Sequence, residues 1–122
     1  MKPVFICSPY AAESPEQREL HCRYARRLCR YAVDEGFAPF APHLLFTQFL
    51  DDVDAVQRSQ GLRAGKVFLS FCRQLWFGVK HGISDGMKDE IEDAAKTFGI
   101  PIYLVLENPD GSFTRQETEK LP

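Results

Sequence analysis

A short apolar run, a polar turn with two glycines and an amphipathic helix follow one another between residues 74 and 98. The run at residues 74–79 is aromatic and apolar, and its length fits a buried strand better than a helix. Ser84 or Asp85 is a good helix N-cap. Apolar residues then recur at helical spacing as one stripe: Met87, Ile91, Ala94, Ala95 and Phe98. A strand joined to a helix in this way predicts an α/β fold.

The same alternation continues along the rest of the chain. Strands are predicted at residues 3–7, 37–40 and 100–106, and helices at about residues 15–35 and 54–72. We therefore expect a single-domain α/β sandwich of Rossmann-like or flavodoxin-like type, with a small parallel sheet of four to five strands and helices on both faces. One domain is expected over residues 1–122, with a core at about 3–106 and a polar tail at 107–122, of which residues 112–122 are expected to be loosely held.

Composition narrows the class of protein. A chain of 122 residues that is 44% hydrophobic is long enough for one domain with a real core. The net charge of -2 favours neither nucleic acid nor membrane as a partner, although five arginines lie in the first predicted helix. There is no apolar run near 18 residues and no signal peptide pattern, so the cytoplasm is the expected location.

The four cysteines predict neither a disulfide nor a metal site. Cys7, Cys22, Cys29 and Cys72 form no C-x-x-C pair and have no histidine at metal-ligand spacing. We interpret them as reduced packing residues and expect no metal.

Polar loops follow the first and third predicted strands. Ligands of α/β sheets bind outside the carboxyl ends of the strands, so Ser8, Tyr10, Ser84 and Glu90 are expected within reach of one small ligand. Helical spacing places Glu90 on the flank of the apolar stripe, and Gly86 one turn earlier leaves room for a ligand. The alternative is purely structural: Ser84 caps the helix, and Glu90 is a solvated helix glutamate.

Two segments resemble a known family. Residues 4–9, Val-Phe-Ile-Cys-Ser-Pro, and residues 84–91, Ser-Asp-Gly-Met-Lys-Asp-Glu-Ile, are similar to motifs of the nucleoside 2-deoxyribosyltransferase-like superfamily. The motifs resemble most closely those of small uncharacterised bacterial and phage members and of the 2'-deoxynucleoside 5'-phosphate N-hydrolase branch. With the order of strands and helices, the resemblance covers most of residues 3–106.

The resemblance implies a reaction and a set of site residues. Glu90 would be the nucleophile that attacks the anomeric carbon of a deoxyribosyl group, and Ser84 would bind the sugar or its 5'-phosphate. Ser8 would be a ligand contact in the first loop. Further candidate substrate contacts, chosen for their positions in the chain, are Pro9, Tyr10, Gly86, Met87, His43, Asp51 and Asp52. The substrate would be a small-molecule nucleotide or nucleoside, with no metal or organic cofactor. A homo-oligomer is expected, because members often complete each site with a hydroxyl residue of a neighbouring subunit, here Ser112 or Thr114.

Some of these assignments have a local alternative. His43 follows the second strand, in a region that often closes over the base in the family, but it is equally a turn residue with local hydrogen bonds. Asp51 and Asp52 could orient the sugar or protonate the leaving base. An acidic helix start explains them as well.

The chain also departs from the family pattern. Phe5 occupies the place of a tyrosine that the transferases often have, and residues 66–74 contain no acid where the family has an aspartate. Ser84 stands where the transferases tend to have aspartate, and a hydroxyl tolerates a phosphate that a carboxylate would repel. If the substrate is a nucleotide, we expect a basic side chain such as Arg58 or Lys80 beside Ser84.

The leading hypothesis is N-glycosidic bond cleavage or deoxyribosyl transfer on a 2'-deoxynucleotide or related metabolite. The alternative is a non-catalytic nucleotide-binding module on the same scaffold, in which Glu90 holds a sugar hydroxyl. A third reading is a partner-binding protein that retains only the fold.

Overall fold

The computed structural model describes residues 1–118. Within that range the strands are β1 (Lys2–Cys7), β2 (Phe37–Phe40), β3 (Gln74–Gly78), β4 (Ile102–Glu107) and β5 (Phe113–Glu117). The helices are α1 (Pro15–Asp34), α2 (Pro42–Leu45), α3 (Ala55–Leu69) and α4 (Asp85–Glu92). A 3-10 turn at Phe46–Gln48 follows α2, and a π-helical turn at Asp93–Thr97 follows α4. None of the helices in this range is both long and apolar enough to cross a membrane.

The strands form one sheet in the order β2-β1-β3-β4-β5. The first four strands are mutually parallel, which confirms the predicted α/β sheet with helical crossovers. β5 instead runs antiparallel to β4, so the sheet is mixed. The two strands are joined by a turn in which the Asn108 N–H donates to the Ser112 carbonyl at 2.8 Å.

This fifth strand corrects the expectation of a loosely held tail. Residues 113–117 pair with β4 along its whole length, and Phe113 packs against the α1 side of the sheet. Half-buried Phe113 and Arg115 alternate with exposed Thr114 and Gln116, as expected of an edge strand with one covered face. Residues 119–122 of the expected tail lie outside the described residues.

Side chains alternate between the two faces of the sheet. On β1, Val4 and Ile6 face α1, whereas Phe5 and Cys7 belong to the core under α3 and α4. On β3, Trp76 lies on the α1 side. All five are at most 2% exposed, which accounts for the continuous apolar runs of the central strands.

The π-helical turn changes which residues after α4 are buried. Met87, Ile91 and Ala94 are buried as the apolar stripe predicts, but Ala95 is exposed. The Phe98 N–H donates to the Asp93 carbonyl at 3.0 Å, a five-residue step that places one extra residue in the turn. The prediction for Ala95 was wrong because it assumed regular α-helical spacing throughout.

Candidate functional site

The candidate site lies where the carboxyl ends of β1 and β3 meet. The two strands are adjacent, with Cys7 level with Phe77, but their crossovers leave in opposite directions. β1 leads through α1 to β2 on one side, and β3 leads through α4 to β4 on the other. The loops therefore separate above this point and open a crevice, which is where ligands bind in α/β sheets.

Helix α4 positions Glu90 in this crevice. The Ser84 hydroxyl accepts a hydrogen bond from the Met87 N–H at 3.2 Å and so caps the helix. The Met87 side chain is 1% exposed and anchors the first turn in the core. One turn later, Glu90 is half-buried and faces the end of β1, where the Cys7 thiol donates to its Oε1 atom at 3.6 Å.

Burial dominates the electrostatics of Glu90. Loss of hydration raises the pKa of its carboxyl to about 8, and the neighbouring Asp89 and Asp93 raise it as well. The hydrogen bond from Cys7 lowers this pKa because it favours the charged form. With its pKa at about 8, Glu90 is mostly protonated at neutral pH.

Two adjoining chambers meet at Glu90. The larger has a volume of about 340 Å³, with an apolar floor that includes Phe5, Phe46 and Leu69. The smaller, of about 190 Å³, reaches Tyr10 and Ser84. The residues that line both chambers are His43, Asp52, Arg58, Leu62, Asp85, Gly86 and Glu90. A small ligand with one apolar and one polar half could thus place its central atoms against Glu90.

Glycine at position 86 keeps the space in front of Glu90 open. A Cβ atom built on Gly86 would have Ser84 Oγ, at 3.9 Å, as its nearest neighbour, so it would project into the chambers rather than into protein. The expectation that this space accommodates a ligand stays a prediction.

An aromatic pair covers part of the smaller chamber. The rings of Tyr10 and His43 stack with centroids 5.3 Å apart, and the Arg18 guanidinium lies 5.3 Å from the Tyr10 ring. Burial lowers the pKa of His43, an effect opposed by Asp52 and reinforced by Arg58. The imidazole is therefore neutral at pH 7 and can accept or donate one hydrogen bond to a ligand.

The structure brings six of the ten predicted site residues to the chambers. These are Tyr10, His43, Asp52, Ser84, Gly86 and Glu90. The other four, Ser8, Pro9, Met87 and Asp51, do not line either chamber.

These four residues lie in other surroundings. Ser8 and Pro9 are buried immediately after β1. Met87 is part of the core, and its sulfur accepts the Ser84 N–H at 3.4 Å. Asp51 is exposed, and its side chain closes a turn by accepting the Val53 N–H at 3.0 Å.

Three charged residues at the site were not predicted. Asp89, Asp93 and Lys66 all line the larger chamber, and Lys66 lies 3.5 Å from the Asp93 carboxylate. Arg63, which the sequence offered with Arg58 as a possible phosphate partner, also lines this chamber. Helical spacing contained the signal for the two acids, because Asp85, Asp89 and Asp93 recur every four residues along α4 and the first residue of the π-helical turn. Lys80, expected as a partner for phosphate, pairs instead with Glu107 at 3.0 Å.

No group of three or more histidine, cysteine or carboxylate side chains in residues 1–118 is arranged to hold a metal ion.

The strand order and the crevice beside Glu90 define a single-domain α/β protein. Its fold is similar to that of the 2-deoxyribosyltransferase of Bacillus psychrosaccharolyticus, with a TM-score of 0.59 and 17% identity over 84% of this chain and 70% of that chain. The 2-desoxiribosyltransferase of Leishmania mexicana has a TM-score of 0.48 and 17% identity over 89% of this chain and 68% of that one. No functionally curated protein matches the sequence. The chain belongs to the DUF7768 family, a domain of unknown function, whose model matches residues 2–105.

Proposed function

We propose that this protein acts on a 2'-deoxynucleotide or a related nucleotide metabolite, and that it either hydrolyses the N-glycosidic bond or transfers the deoxyribosyl group to another base. The observation that supports the proposal is the half-buried Glu90 carboxyl at the junction of two chambers in the crevice between β1 and β3. Such a position matches the demand of the reaction, in which one carboxylate faces the anomeric carbon while the base and the 5' group extend in different directions.

Glu90 acts in this proposal as the nucleophile. Its ionised carboxylate attacks the anomeric carbon and forms a glycosyl ester, while the base departs with the electron pair of the broken C–N bond and takes up a proton. Water or a second base then attacks the same carbon and releases the carboxylate. The developing positive charge on the sugar offsets the cost of ionising a buried carboxyl.

The shape of the chambers suggests how the substrate lies. The aromatic and aliphatic floor of the larger chamber, with Phe5 and Phe46, suits a nucleobase. The smaller chamber, with Ser84 and Arg58, suits the sugar and its 5' group. The Ser84 hydroxyl still has a proton to donate after it accepts the Met87 N–H, and Arg58 is the basic side chain expected for a phosphate.

Of the three acids at residues 51–54, Asp52 is the best placed to assist the leaving base. It lines both chambers, whereas Asp51 closes a turn and Asp54 caps α3 by accepting the Val56 and Gln57 N–H groups. It therefore takes the place of the aspartate that is missing from residues 66–74.

A non-catalytic nucleotide-binding module is the second candidate, favoured by the raised pKa of Glu90. A carboxyl that is protonated at neutral pH donates a hydrogen bond, which would hold a sugar hydroxyl rather than attack carbon. Phe5 lines the larger chamber and lacks the hydroxyl group of the tyrosine that the transferases often have, which also favours the binding module.

Release of free base from a panel of deoxynucleoside monophosphates and deoxynucleosides tests the proposal. The reactions are followed by chromatography with and without an acceptor base. Glu90→Gln is compared with Glu92→Gln, which removes an exposed carboxylate from the same helix. Base release that is lost in Glu90→Gln and retained in Glu92→Gln supports the proposal, and base exchange identifies a transferase. Nucleotide binding without turnover across the panel would instead favour the binding module.

A further inference from the structure

The Cys7 thiol contacts the Glu90 carboxyl from a different element of the fold. Cys7 is the last residue of β1, and its side chain is 1% exposed. Its sulfur lies 3.6 Å from Glu90 Oε1 and 3.8 Å from the Met87 carbonyl oxygen. Both acceptors belong to α4, so the single thiol proton can be donated either to the carboxyl or to the helix backbone.

We infer that Cys7 is a positioning residue, whose buried thiol holds the Glu90 carboxylate in one orientation and favours its ionised form. The inference rests on the proposed function only in treating Glu90 as the reactive group. A thiol at this place does more than fill space, because a methyl group of similar position could not donate to the carboxylate.

The surroundings of Cys7 keep it a hydrogen-bond donor. Burial raises its pKa well above the usual value, and the adjacent Glu90 raises it further. The sulfur therefore retains its proton at neutral pH and is not a nucleophile itself. Cys72 provides a contrast in the same core cluster, since its thiol donates to the Phe68 carbonyl at 3.4 Å and not to a carboxyl.

The charges around Glu90 show why one donor matters. Asp89 on α4 and Asp93 in the π-helical turn after it oppose its ionisation. The titratable and charged groups that line the chambers from other elements are Tyr10 after β1, His43 on α2, Asp52 in the loop before α3, and Arg58, Arg63 and Lys66 on α3. Burial and the two helix acids favour the protonated carboxyl, and the bond from Cys7 acts against them.

The titration of Glu90 tests this inference directly. The protein is labelled with glutamate carrying ¹³C at the carboxyl carbon, and the Glu90 signal is assigned by its absence in Glu90→Gln. We expect Cys7→Ala to raise the titration midpoint by about half to one pH unit, since one hydrogen bond to the charged form is lost. Cys7→Ser should lower it, because a hydroxyl forms a shorter and stronger bond to a carboxylate.

Cys72→Ala is the matched control, because it also truncates a buried cysteine of the same cluster. Its Glu90 midpoint should equal that of the wild type. The inference is overturned if Cys7→Ala and Cys7→Ser both titrate like the wild type, or if Cys72→Ala shifts the midpoint as much as Cys7→Ala does. Serine has nearly the same side-chain volume as cysteine. The Glu90 midpoint of Cys7→Ser therefore tests the inference even if Cys7→Ala folds poorly.

The titration separates this inference from the proposed function. It requires no turnover, so the midpoints decide the role of Cys7 even if no base is released. If base is released, the acidic limb of the pH profile of kcat/KM should move in the same direction as the midpoint in each variant. If the Cys7 variants keep the acidic limb of the wild type while Glu90→Gln is inactive, the positioning role of Cys7 is contradicted and the proposed function is not.

Discussion

Glu90 should reduce the stability of the folded protein at neutral pH. The pKa of its carboxyl is about 8 in the folded protein, against an ordinary value of 4.5. Below pH 4.5 the carboxyl is protonated in both the folded and the unfolded state, so it does not lower the free energy of unfolding. Between pH 4.5 and 8 the folded state retains a proton that the unfolded chain releases, and stability falls by about 1.4 kcal/mol per pH unit.

The cost reaches about 3 kcal/mol at pH 7, which is a large part of the stability of a small domain. Glutamine has the shape of the protonated carboxyl and never ionises. We therefore expect Glu90→Gln to raise the free energy of unfolding by about 3 kcal/mol at pH 7 and by less than about 1 kcal/mol at pH 5.

Urea denaturation at pH 5, 6, 7 and 8 measures this difference. Glu92→Gln on the same helix is the control, and it should change stability by no more than about 0.5 kcal/mol, because its carboxylate is exposed and forms only a surface pair with Lys96. A Glu90→Gln protein whose stability gain is the same at pH 5 and pH 8, or that is less stable than the wild type at both, would refute the reasoning.

Three further changes test the surroundings of the site. Gly78→Ala should destabilise the protein by about 2–3 kcal/mol in urea, because the new Cβ would collide with the Tyr24 hydroxyl and lie 2.8 Å from the ring carbon Cζ. Adding Tyr24→Phe should recover only part of that loss, and full recovery would mean that the ring itself does not clash. Asp54→Ala should cost about 1 kcal/mol through loss of the α3 N-cap, and an unchanged urea midpoint would contradict that role. Asp93→Asn should lower the Glu90 titration midpoint by about half a pH unit, whereas a rise would show that Asp93 does not act on Glu90 by charge.

Local rules predicted most of the elements near the site. The apolar run at residues 74–79, the Ser84 cap and the helical stripe identified β3 and α4 because each of these features depends on residues only a few positions apart. The same spacing placed Glu90 on the flank of the helix, where the chambers meet. The rules failed at Ala95, since a π-helical turn is not visible in an apolar pattern.

Contacts between distant segments could not be predicted in the same way. Neighbouring acids such as Asp51 and Asp52 look alike in sequence, yet only Asp52 lines the chambers, whereas the Asp51 side chain accepts the Val53 N–H. The antiparallel direction of β5 was equally hidden, because it depends on pairing with β4 and not on the composition of residues 113–117.

The sequence by itself determined the strand and helix order, the helix caps and the presence of a carboxylate at a strand-to-helix junction, since these depend on local backbone preferences and hydrophobic spacing. Only the tertiary structure decided the chemical state of that carboxylate. Cys7 and Glu90 are 83 positions apart in the chain and meet only when β1 packs beside α4. Burial and long-range contacts set the pKa of a side chain, and both exist only in the folded protein.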